Sequence, residues 1–470
     1  MKTASQPLLS VSDCITRMLA SAERHRQQQP LLTERVVLVQ SSGRILADSV
    51  LAAVDVPPAD NSAMDGIAFN WQQAQQLPSI NPNTDNSVTH NPASSNPPIA
   101  SSGMVRGGEE CGCAEQPVSS VPETGWRSMR LSQHIPAGAV TAPLLPLTAA
   151  RIFTGAELPS GADTVQMQEN CHFTEHTTAT GTVEKWVHFQ LPKAAAANVR
   201  PQGQDIAKGT AVVQSGQLLG PLQLGQLASV GMAEVTVYRR LRVVLLSTGD
   251  ELIEPGQPLA AGQIYNSNAP LLISLLSGWG CTVTSLGQIA DDPDSTLGAL
   301  QQAQAMAPDL ILSSGGVSVG EEDHVKAAVE ACGSLDLWKV AIKPGKPIAW
   351  GQVGDIPFVG LPGNPQSVWI TALILLRPFV MALQVCHWQA PTPLLVPAGF
   401  ERTKPQGRDE FVRVQVQHTA TESQLIPHPN QSSGALTSAA WADGLMHIPA
   451  GSTVTPGQAF AYWPMALLMA

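Results

Sequence analysis

Residues 309–324 read DLILSSGGVSVGEEDH, in which an apolar run passes through two serines and two glycines and reaches three consecutive acids. The segment DLILSS is typical of a buried strand, and a helix is predicted from about Glu321 to Cys332. Glycines between a strand and a helix leave backbone N–H groups free to bind an anion. Because three carboxylates would repel that anion, the stretch predicts a site that binds more than one chemical group.

The chain on both sides of this stretch alternates between predicted strands and predicted helices from 240 to 385. Strands LRVVLLS at 241–247 and TVTSLGQI at 282–289 come before it, each followed by a segment of helical periodicity. Strands DLWKVAI, PIAWG and IPFVGL come after it, and a long helix is predicted with Asn364 as N-cap and Pro365 as its first residue. This alternation predicts a mostly parallel sheet that is covered by helices on both faces.

The rest of the chain supplies further domains, because 470 residues exceed what one core usually supports. We predict an α/β multidomain fold: a central three-layer α/β/α domain with a mostly parallel sheet, N-terminal mixed domains and a small C-terminal β domain. A stretch rich in turn-forming residues, at about 71–140, is predicted to be a flexible insertion that folds locally near its end. The predicted boundaries are 8–60 with 200–238 for an N-terminal linker or dimerisation domain, 61–199 for an inserted β-rich domain that contains the insertion, 240–385 for the α/β domain and 391–470 for the C-terminal β domain.

Composition narrows the class of protein. The net charge of −11 argues against broad non-specific binding of nucleic acid. Seven scattered cysteines argue against a disulfide scaffold, and the CGC at 111–113 lacks the second ligand pair of a zinc site. The N-terminus has no apolar signal-peptide core, and the apolar run at 368–376 covers about half a bilayer. We therefore expect a cytoplasmic protein in which that run is a buried helix or a subunit interface.

Glycine or acid follows every parallel strand of the predicted sheet. Asp250 and Glu251 follow the first strand, Asp291 and Asp292 the second, glycines the third, and LPGNP at 361–365 the last. In open α/β sheets, ligands bind outside the carboxyl ends of the strands. One junction of this kind is more often a tight turn or a helix cap, but four junctions on one sheet edge predict a binding site.

Cations for that site come from the segment WKVAIKPGKP at 338–347. Side chains alternate along a strand, so Lys339 and Lys343, four residues apart, are predicted to share one face and to neutralise phosphate or another oxyanion. The acids would then bind a divalent cation such as Mg²⁺. The pattern predicts a site for a phosphorylated ligand that undergoes phosphoryl or nucleotidyl chemistry. The glycine spacings of a Walker A loop and of a dinucleotide fingerprint are both absent.

Taken in order along the chain, these motifs resemble the molybdopterin molybdenumtransferase family, which includes the bacterial MoeA proteins and the E domain of eukaryotic gephyrin. The resemblance covers nearly the whole chain outside 71–140. The stretches that carry it are DNSAMDG (60–66), RIFTGAELPSGAD (151–163), RPQGQDI (200–206), LLSTGDEL (245–252), IYNSN (264–268), DDP (291–293), SSGGVSVGEED (313–323), WKVAIKPGKP (338–347), LPGNPQS (361–367), GRDEF (407–411) and NQSSGALTSAA (430–440).

The resemblance implies a cytoplasmic enzyme of molybdenum cofactor biosynthesis. Such an enzyme inserts molybdate into adenylylated molybdopterin and releases AMP in a Mg²⁺-dependent reaction, giving molybdenum-loaded molybdopterin. The resemblance also implies an elongated homodimer whose site is shared between subunits, with DNSAMDG and RIFTG reaching the α/β domain of the other subunit. Contacts with the molybdopterin adenylyltransferase and with downstream cofactor-processing proteins are expected, whereas binding of nucleic acid or membrane is not.

The same resemblance implies the site residues. The expected ligands of Mg²⁺ and the adenylate phosphate are Asp250, Asp292 and Asp323, where Asp250 is added on its chemistry. The glycines and the serine of GGVS are expected to cradle the terminal phosphate of the pterin. The residues expected to act in catalysis, by positioning and charge balance, are Asp60, Thr154, Asp205, Glu251, Asp292, Asp323, Lys339 and Lys343. Those expected to contact the pterin nucleotide are Thr248, Gly249, Asp250, Ser314, Gly315, Gly316, Ser318, Pro362, Gly363, Asn364 and Pro365.

Two alternatives share part of this pattern. A related enzyme with the same α/β domain, such as the adenylyltransferase or a nucleotide-amide hydrolase, is not expected to contain DNSAMDG and RIFTG. A non-catalytic scaffold, a role that gephyrin also has, is expected to have lost acids or lysines that are present here. The molybdenumtransferase interpretation is therefore preferred.

Overall fold

The structure is a computed structural model that describes residues 8–80, 125–317, 324–418 and 422–469. The chain divides into two compact units, Met1–Val50 with Val213–Ala470, and Leu51–Val212. This division is coarser than the four predicted domains, whose boundaries stay predictions. The predicted site residues Ser318 and Asp323, the acids Glu321 and Glu322, and the CGC at 111–113 lie outside the described residues.

The first unit contains the predicted α/β sheet. Its strands, in sheet order, are Thr282–Ile289, Arg242–Thr248, Leu310–Ser314, Ile356–Leu361, Pro347–Val353 and Gly333–Lys339. The first four strands run parallel to one another, and the last two are paired antiparallel at one edge. The α/β fold with a mostly parallel central sheet is confirmed.

Helices cover both faces of this sheet because side chains alternate along each strand. Val243 and Leu245 pack into one core, whereas Val244 and Leu246 pack into a second core on the opposite face. The helices over the first face are Val11–Gln28, Asn268–Gly278 and Pro365–Thr371. The last of these continues through a π-helical segment, Ala372–Leu376, into the helix Arg377–Leu383. The helices over the second face are Pro293–Ala305 and His324–Cys332.

The long apolar helix Pro365–Leu383 has the length and composition of a membrane span, and in the described part of the chain it is the one helix that does. Its most apolar window is 89% buried within the protein, as core helices are. Arg377, in the middle of this helix, is also buried. Its Nη1 donates hydrogen bonds to the carbonyl oxygens of Leu467 (3.0 Å) and Leu468 (2.8 Å) in the helix Met465–Met469. The predicted buried helix is confirmed.

A second sheet of the first unit comes mainly from the C-terminal part of the chain. Its strands, in sheet order, are Ile342–Lys343, Asp409–His418, Gly444–Ile448, Ala459–Pro464 and Leu394–Pro397, with Ser423–Pro427 paired to Asp409–His418. The short helix Thr437–Trp441 contacts the strand Asp409–His418. The predicted C-terminal β region is therefore present.

The segment between Lys339 and Lys343 corrects one prediction. A single strand DLWKVAI was expected, but the α/β sheet strand ends at Lys339, and Ile342–Lys343 pairs in parallel with the C-terminal sheet. Val340, between them, forms a β-bridge with Leu9 near the N-terminus. The expectation that Lys339 and Lys343 share a strand face was wrong, because side chains alternate regularly only within one continuous strand.

The remaining elements of the first unit are short. Strands Thr33–Val37 and Glu234–Tyr238 pair antiparallel, and strands Leu252–Ile253 and Ile264–Tyr265 pair in parallel. A 3₁₀-helix, Leu38–Gln40, and the helix Pro221–Ser229 complete this part. Two short strands, Val50–Leu51 and Ala211–Val213, fall at the boundaries of the two units in the sequence.

The second unit is built on a six-stranded sheet. In sheet order its strands are Thr164–Met167, Gly66–Phe69, Thr148–Ile152, Trp126–Ile135, Val183–Gln190 and Cys171–Thr177. Strands Asn61–Ser62 and Val199–Arg200 form a separate pair. The unit also contains the helix Trp71–Gln76 and the 3₁₀-helix Gln168–Asn170. The helix Trp71–Gln76 lies at the start of the stretch 71–140, so the prediction of flexibility was wrong there, whereas the strand Trp126–Ile135 lies near its end, where local folding was expected. Residues 81–124 lie outside the described residues.

Candidate binding site at the strand ends

A cavity of about 620 Å³ lies at the carboxyl ends of the parallel strands in the first unit. Three parts of that unit form its wall: the strand ends of the α/β sheet, the segment 343–347 with the loop before the long helix, and the C-terminal sheet. The lining residues are, from the first part, Thr248, Gly249, Glu251, Asp291, Gly315, Gly316 and Val317; from the second, Lys343, Pro344, Gly345, Pro347, Pro362, Gly363, Asn364 and Ser367; and from the third, Arg408, Glu410, Arg413, Gln431, Ser432 and Ser433.

The two glycines of the opening motif are required by backbone geometry. Gly315 and Gly316 have φ of +93° and +64°, in the left-handed region that glycine adopts readily. A Cβ on Gly315 would lie 2.7 Å from the carbonyl oxygen of Thr248, and one on Gly316 would lie 2.4 Å from Cγ2 of Val325. The Gly315 N–H donates to the carbonyl oxygen of Leu361 (3.1 Å). Three neighbouring strand ends are thus joined into one tight backbone surface.

The N-terminus of the long helix forms the adjoining part of the wall. Asn364 is its N-cap residue and Pro365 its first residue, as predicted. The buried Asn268 holds the preceding loop, because its Nδ2 donates to the carbonyl oxygen of Gly363 (2.7 Å). The first N–H groups of a helix and its dipole both favour an anion. Gly315, Gly316 and this helix start together form a surface suited to phosphate.

Three carboxylates line the cavity: Glu410 on the C-terminal sheet, and Glu251 and Asp291 at the strand ends of the α/β sheet. The neighbouring Asp292 is instead the N-cap of the helix Pro293–Ala305, and its Oδ1 accepts the N–H groups of Asp294 (3.0 Å) and Ser295 (2.9 Å). Hydrogen bonds from the Ser295 side chain and backbone hold the pKa of Asp292 below its usual value. The sequence already contained this signal, since an acid directly before a proline at a helix start is a typical N-cap.

The C-terminal sheet brings cations and one acid to the opposite part of the wall. Glu410 is buried and forms ion pairs with Lys343, whose Nζ lies 3.3 Å from Oε1, and with Arg402. Arg408 donates from Nη1 to the carbonyl oxygen of Ile342 (3.2 Å). Burial lowers the pKa of the Arg413 guanidinium to about 10, against the opposing effect of Glu410. Lys343 is therefore a paired cation, and the wall carries three cations in all with Arg408 and Arg413.

The structure brings together nine of the predicted site residues. They are Thr248, Gly249, Glu251, Gly315, Gly316, Lys343, Pro362, Gly363 and Asn364. Five others belong to the same unit but do not line the cavity: Asp250, Asp292, Ser314, Lys339 and Pro365. Asp250 accepts the N–H of Asp291 on its Oδ1 (2.9 Å) and so supports the lining acid indirectly.

Three predicted residues, Asp60, Thr154 and Asp205, belong to the second unit. Asp60 lines a cavity of about 420 Å³ there, and its Oδ1 accepts the N–H of Gln202 (2.8 Å). Thr154 donates both its N–H and its hydroxyl to Oδ1 of Asp65, each at 2.8 Å, and these bonds lower the pKa of Asp65. Thr154 and Asp205 do not line the cavity that contains Asp60.

Sequence reasoning missed the part of the site that the C-terminal sheet supplies. Arg408, Glu410 and Arg413 lie on or next to one strand, and Gln431–Ser433 is a loop beside it. The stretches GRDEF and NQSSG were recognised as matching the family, but no local pattern indicated that they face the α/β sheet. Asp291 was considered only as one of a pair of acids.

The donor atoms of the wall fit a magnesium ion that is shared with a phosphorylated ligand. Within the described ranges, no three His, Cys, Asp or Glu side chains are grouped so that they could hold a metal ion by themselves. Mg²⁺, however, is usually bound by one or two carboxylates together with phosphate oxygens. Glu251 and Asp291 have that chemistry, and the roles expected of Asp250, Asp292 and Asp323 as metal ligands stay predictions.

Family models match three consecutive parts of the chain. They are described as the MoeA N-terminal region (domains I and II), matching residues 9–231, a probable molybdopterin-binding domain, matching residues 244–382, and the MoeA C-terminal region (domain IV), matching residues 396–465. The middle model covers the α/β sheet, and the last covers the strand that carries Arg408 and Arg413 to the cavity.

Similar proteins are known in sequence and in structure. The molybdopterin molybdenumtransferase of Haemophilus influenzae is 36% identical over 82% of this chain and 81% of its own length. That of Synechococcus elongatus is 33% identical over 94% and 96% of the two chains. The crystal structure of a molybdopterin biosynthesis MoeA protein from Pyrococcus horikoshii has the same fold, with a TM-score of 0.70 at 20% identity over 97% of this chain and 100% of that one. These matches extend over both units and across every part of the cavity wall. The chain therefore belongs to the molybdopterin molybdenumtransferase family, a family of enzymes of molybdenum cofactor biosynthesis.

Proposed function

We propose that this enzyme inserts molybdate into adenylylated molybdopterin and releases AMP in a Mg²⁺-dependent reaction. The observation that supports this most is that one cavity wall combines a glycine backbone surface and a helix N-terminus with three cations and three carboxylates, of which Glu410 is ion-paired. A substrate with separate phosphate groups, together with an oxyanion, requires this combination. A binding site for a single phosphate would not need the carboxylates, which would repel it.

Each part of the wall has its own role in this proposal. Gly315, Gly316 and the start of the long helix bind phosphate through backbone N–H groups. Glu251 and Asp291 are the residues that would hold Mg²⁺ beside the phosphates; when bound, the ion would neutralise phosphate charge and stabilise the leaving adenylate. The cations from the C-terminal sheet balance the charge of molybdate.

The chain's contribution to the chemistry is positioning. The tight contacts among the strand ends fix the phosphate, and the Lys343–Glu410 ion pair fixes the direction of the lysine side chain. Holding the dithiolene and molybdate at a reactive distance replaces an encounter in solution, which can account for a large share of a rate enhancement. No nucleophilic side chain is needed.

The assembly and location of the enzyme remain part of the proposal. We infer a cytoplasmic homodimer in which Asp60, Thr154 and Asp205 of one subunit complete the cavity of the other. The cavity of the second unit that contains Asp60 also contains Glu157, Ser160 and Gln202, and it is polar enough to meet a charged substrate. The molybdopterin adenylyltransferase and the proteins that process the product are the expected partners.

The direct test measures AMP release from adenylylated molybdopterin and Mg²⁺ as molybdate is added. Asp291→Asn is expected to raise the Mg²⁺ concentration for half-maximal rate by about tenfold, because one of two carboxylate ligands is lost. Asp294→Asn is the matched control, since this exposed acid lies three residues away in the first turn of the helix. AMP release that does not increase with molybdate in the wild-type enzyme would refute the proposed function.

A further inference from the structure

Two hydrogen bonds join the neighbouring strand ends that carry the carboxylates Glu251 and Asp291. In the first, Nε2 of Gln288 donates to the carbonyl oxygen of Gly249 (2.9 Å). In the second, the N–H of Asp291 donates to Oδ1 of Asp250 (2.9 Å). Each strand end therefore holds the backbone of the other through one side chain, and the two bonds together fix how the strand ends lie relative to each other.

The backbone of Gly249 is also the surface against which the Glu251 carboxylate lies. A Cβ built on Gly249 would be 2.7 Å from Oε2 of Glu251, so the carboxylate occupies the space directly beside the glycine. The Gly249 carbonyl oxygen accepts a second hydrogen bond, from the N–H of Leu252 (3.2 Å), which closes the turn that contains Glu251. A displacement of Gly249 would therefore be passed on to the Glu251 carboxylate.

A β-bulge sets the position of Gln288. Leu245 pairs with Ser285 on the neighbouring strand, and Ser247, two residues later, pairs with Gln288, three residues later. The strand of Gln288 therefore contains one extra residue, and Gly287 provides the bend with a φ of +76°. Because side chains alternate along a strand, the extra residue moves Gln288 to the opposite face of the sheet from the one it would have in a regular strand.

The hydrogen bond from Gln288 is not needed to hold its strand in the sheet. The strand Thr282–Ile289 already pairs with Arg242–Thr248 from end to end, and the Gln288 residue is exposed. A single neutral hydrogen bond from an exposed side chain contributes little to the free energy of unfolding. The distinguishing contribution of Gln288 is that it fixes the carbonyl group of Gly249.

We propose that Gln288 is a positioning residue that fixes the spacing of Glu251 and Asp291 and so makes this pair of carboxylates selective for Mg²⁺ over a larger divalent cation. Asp250 supplies the reciprocal link. The inference rests on the proposed function for the identity of the metal ion. Mg²⁺ requires near-octahedral ligands at about 2.0–2.1 Å, whereas Ca²⁺ accepts more variable ligands at about 2.3–2.6 Å. Carboxylates on firmly linked strand ends suit Mg²⁺, and loosened strand ends suit Ca²⁺ equally well.

The test measures the affinities for the two ions in Gln288→Leu, which lacks the hydrogen bond to Gly249. Bound Mn²⁺, which takes oxygen ligands as Mg²⁺ does, is displaced by Mg²⁺ or Ca²⁺ in the presence of AMP, and the displacement is followed by electron paramagnetic resonance. Gln288→Leu is expected to weaken Mg²⁺ binding by about tenfold, as the loss of a group that orients metal ligands does, and Ca²⁺ binding by less than about threefold.

Two further variants define the cause. Gln288→Asn keeps the amide on a side chain that is one carbon shorter, so it is expected to give the same changes as Gln288→Leu. The matched control is Gln302→Leu, the same chemical change at an exposed position near the end of the helix Pro293–Ala305. This control is expected to bind both ions as the wild type does.

Hydrogen exchange gives a second measurement that needs no ligand. The N–H groups of Leu252 and Asp291 are bonded within the linked strand ends, so their exchange is expected to be about threefold faster or more in Gln288→Leu and unchanged in Gln302→Leu. The inference is overturned if either these exchange rates or the ratio of the Mg²⁺ and Ca²⁺ affinities stay as in the wild type, or if the wild type does not prefer Mg²⁺. A wild-type enzyme that prefers Mg²⁺ but shows no molybdate-dependent AMP release would refute only the proposed reaction, because the affinity ratio would still decide the role of Gln288.

Discussion

Gly315→Ala is a sensitive probe of how closely the strand ends meet beneath the cavity. Two separate costs are expected. The first is backbone strain, since a φ of +93° costs an L-residue about 1–2 kcal/mol. The second is overlap, since the new Cβ would lie 2.7 Å from the carbonyl oxygen of Thr248, where 3.4–4 Å is ordinary contact. Backbone must move to relieve it, at a further cost of about 1–3 kcal/mol.

Gly256→Ala separates these two costs. Gly256 has a φ of +98°, and a Cβ there meets no atom within 4 Å, so only the strain of about 1–2 kcal/mol is expected. Denaturant unfolding of both variants gives the difference directly, and we expect Gly315→Ala to lose about 1–3 kcal/mol more stability. Equal losses would show that the close approach at Thr248 is not present.

The same substitution tests the role of this backbone in binding. Relieving the overlap displaces Gly315 or Thr248, both of which line the cavity, by several tenths of an ångström. Misplacement of this size next to a reacting substrate lowers rates by about ten- to a hundredfold. AMP release should therefore fall in Gly315→Ala and remain near the wild-type rate in Gly256→Ala. A Gly315→Ala enzyme with full activity would contradict the proposed phosphate surface.

Two further predictions concern charge. Glu410→Gln removes the carboxylate shared by Lys343 and Arg402, so the net charge of the cavity wall becomes more positive by one. Molybdate is therefore expected to bind several-fold more tightly at low salt, as measured by equilibrium dialysis. Weaker binding would mean that Glu410 is needed to orient Lys343. Burial, with Arg26 nearby, holds the pKa of His25 below 6.5, so the unfolded chain binds the proton more readily and the free energy of unfolding rises with pH up to about 6.5. His25→Gln should therefore flatten the dependence of Tm on pH between about 5 and 6.5. The same change at the exposed His172 should leave that dependence as steep as in the wild type.

Local sequence signals predicted the elements of the α/β sheet closely, because strand periodicity and helix caps depend on residues that are close together in the sequence. The strand 282–289 and the start of the long helix at Asn364 and Pro365 lie where the apolar pattern and the cap residues place them. Fixed local geometry also explains why Gly315 and Gly316 were found. These features can be predicted from a short stretch of sequence without the position of the rest of the chain.

Long-range pairing explains what was missed. Lys343 was assigned to the wrong strand because its partners, Asp409 and Glu410, belong to a sheet that starts far along the chain. The same pairing brings Arg408 and Arg413 to the cavity, and no periodicity in the sequence indicates it. At Asp291 and Asp292 part of the information was present locally, since the proline after Asp292 indicates its N-cap role, and Asp291 is the acid of the pair that lines the cavity.

The segment 339–343 also has a consequence for how the enzyme is made. Leu9 bridges to Val340 on one side of this segment, and the strand that begins at Asp409 pairs with Ile342–Lys343 on the other. A ribosome delivers these three pieces in order, with long intervals between them. The α/β sheet can form on the nascent chain, but Lys343 reaches its final position only after the last sheet has been synthesised. Substrate binding is therefore expected to begin only after the strand Asp409–His418 has been synthesised, and a product truncated before Arg408 would contain the phosphate surface and Lys343 without Arg408, Arg413 and the strand that pairs with Lys343.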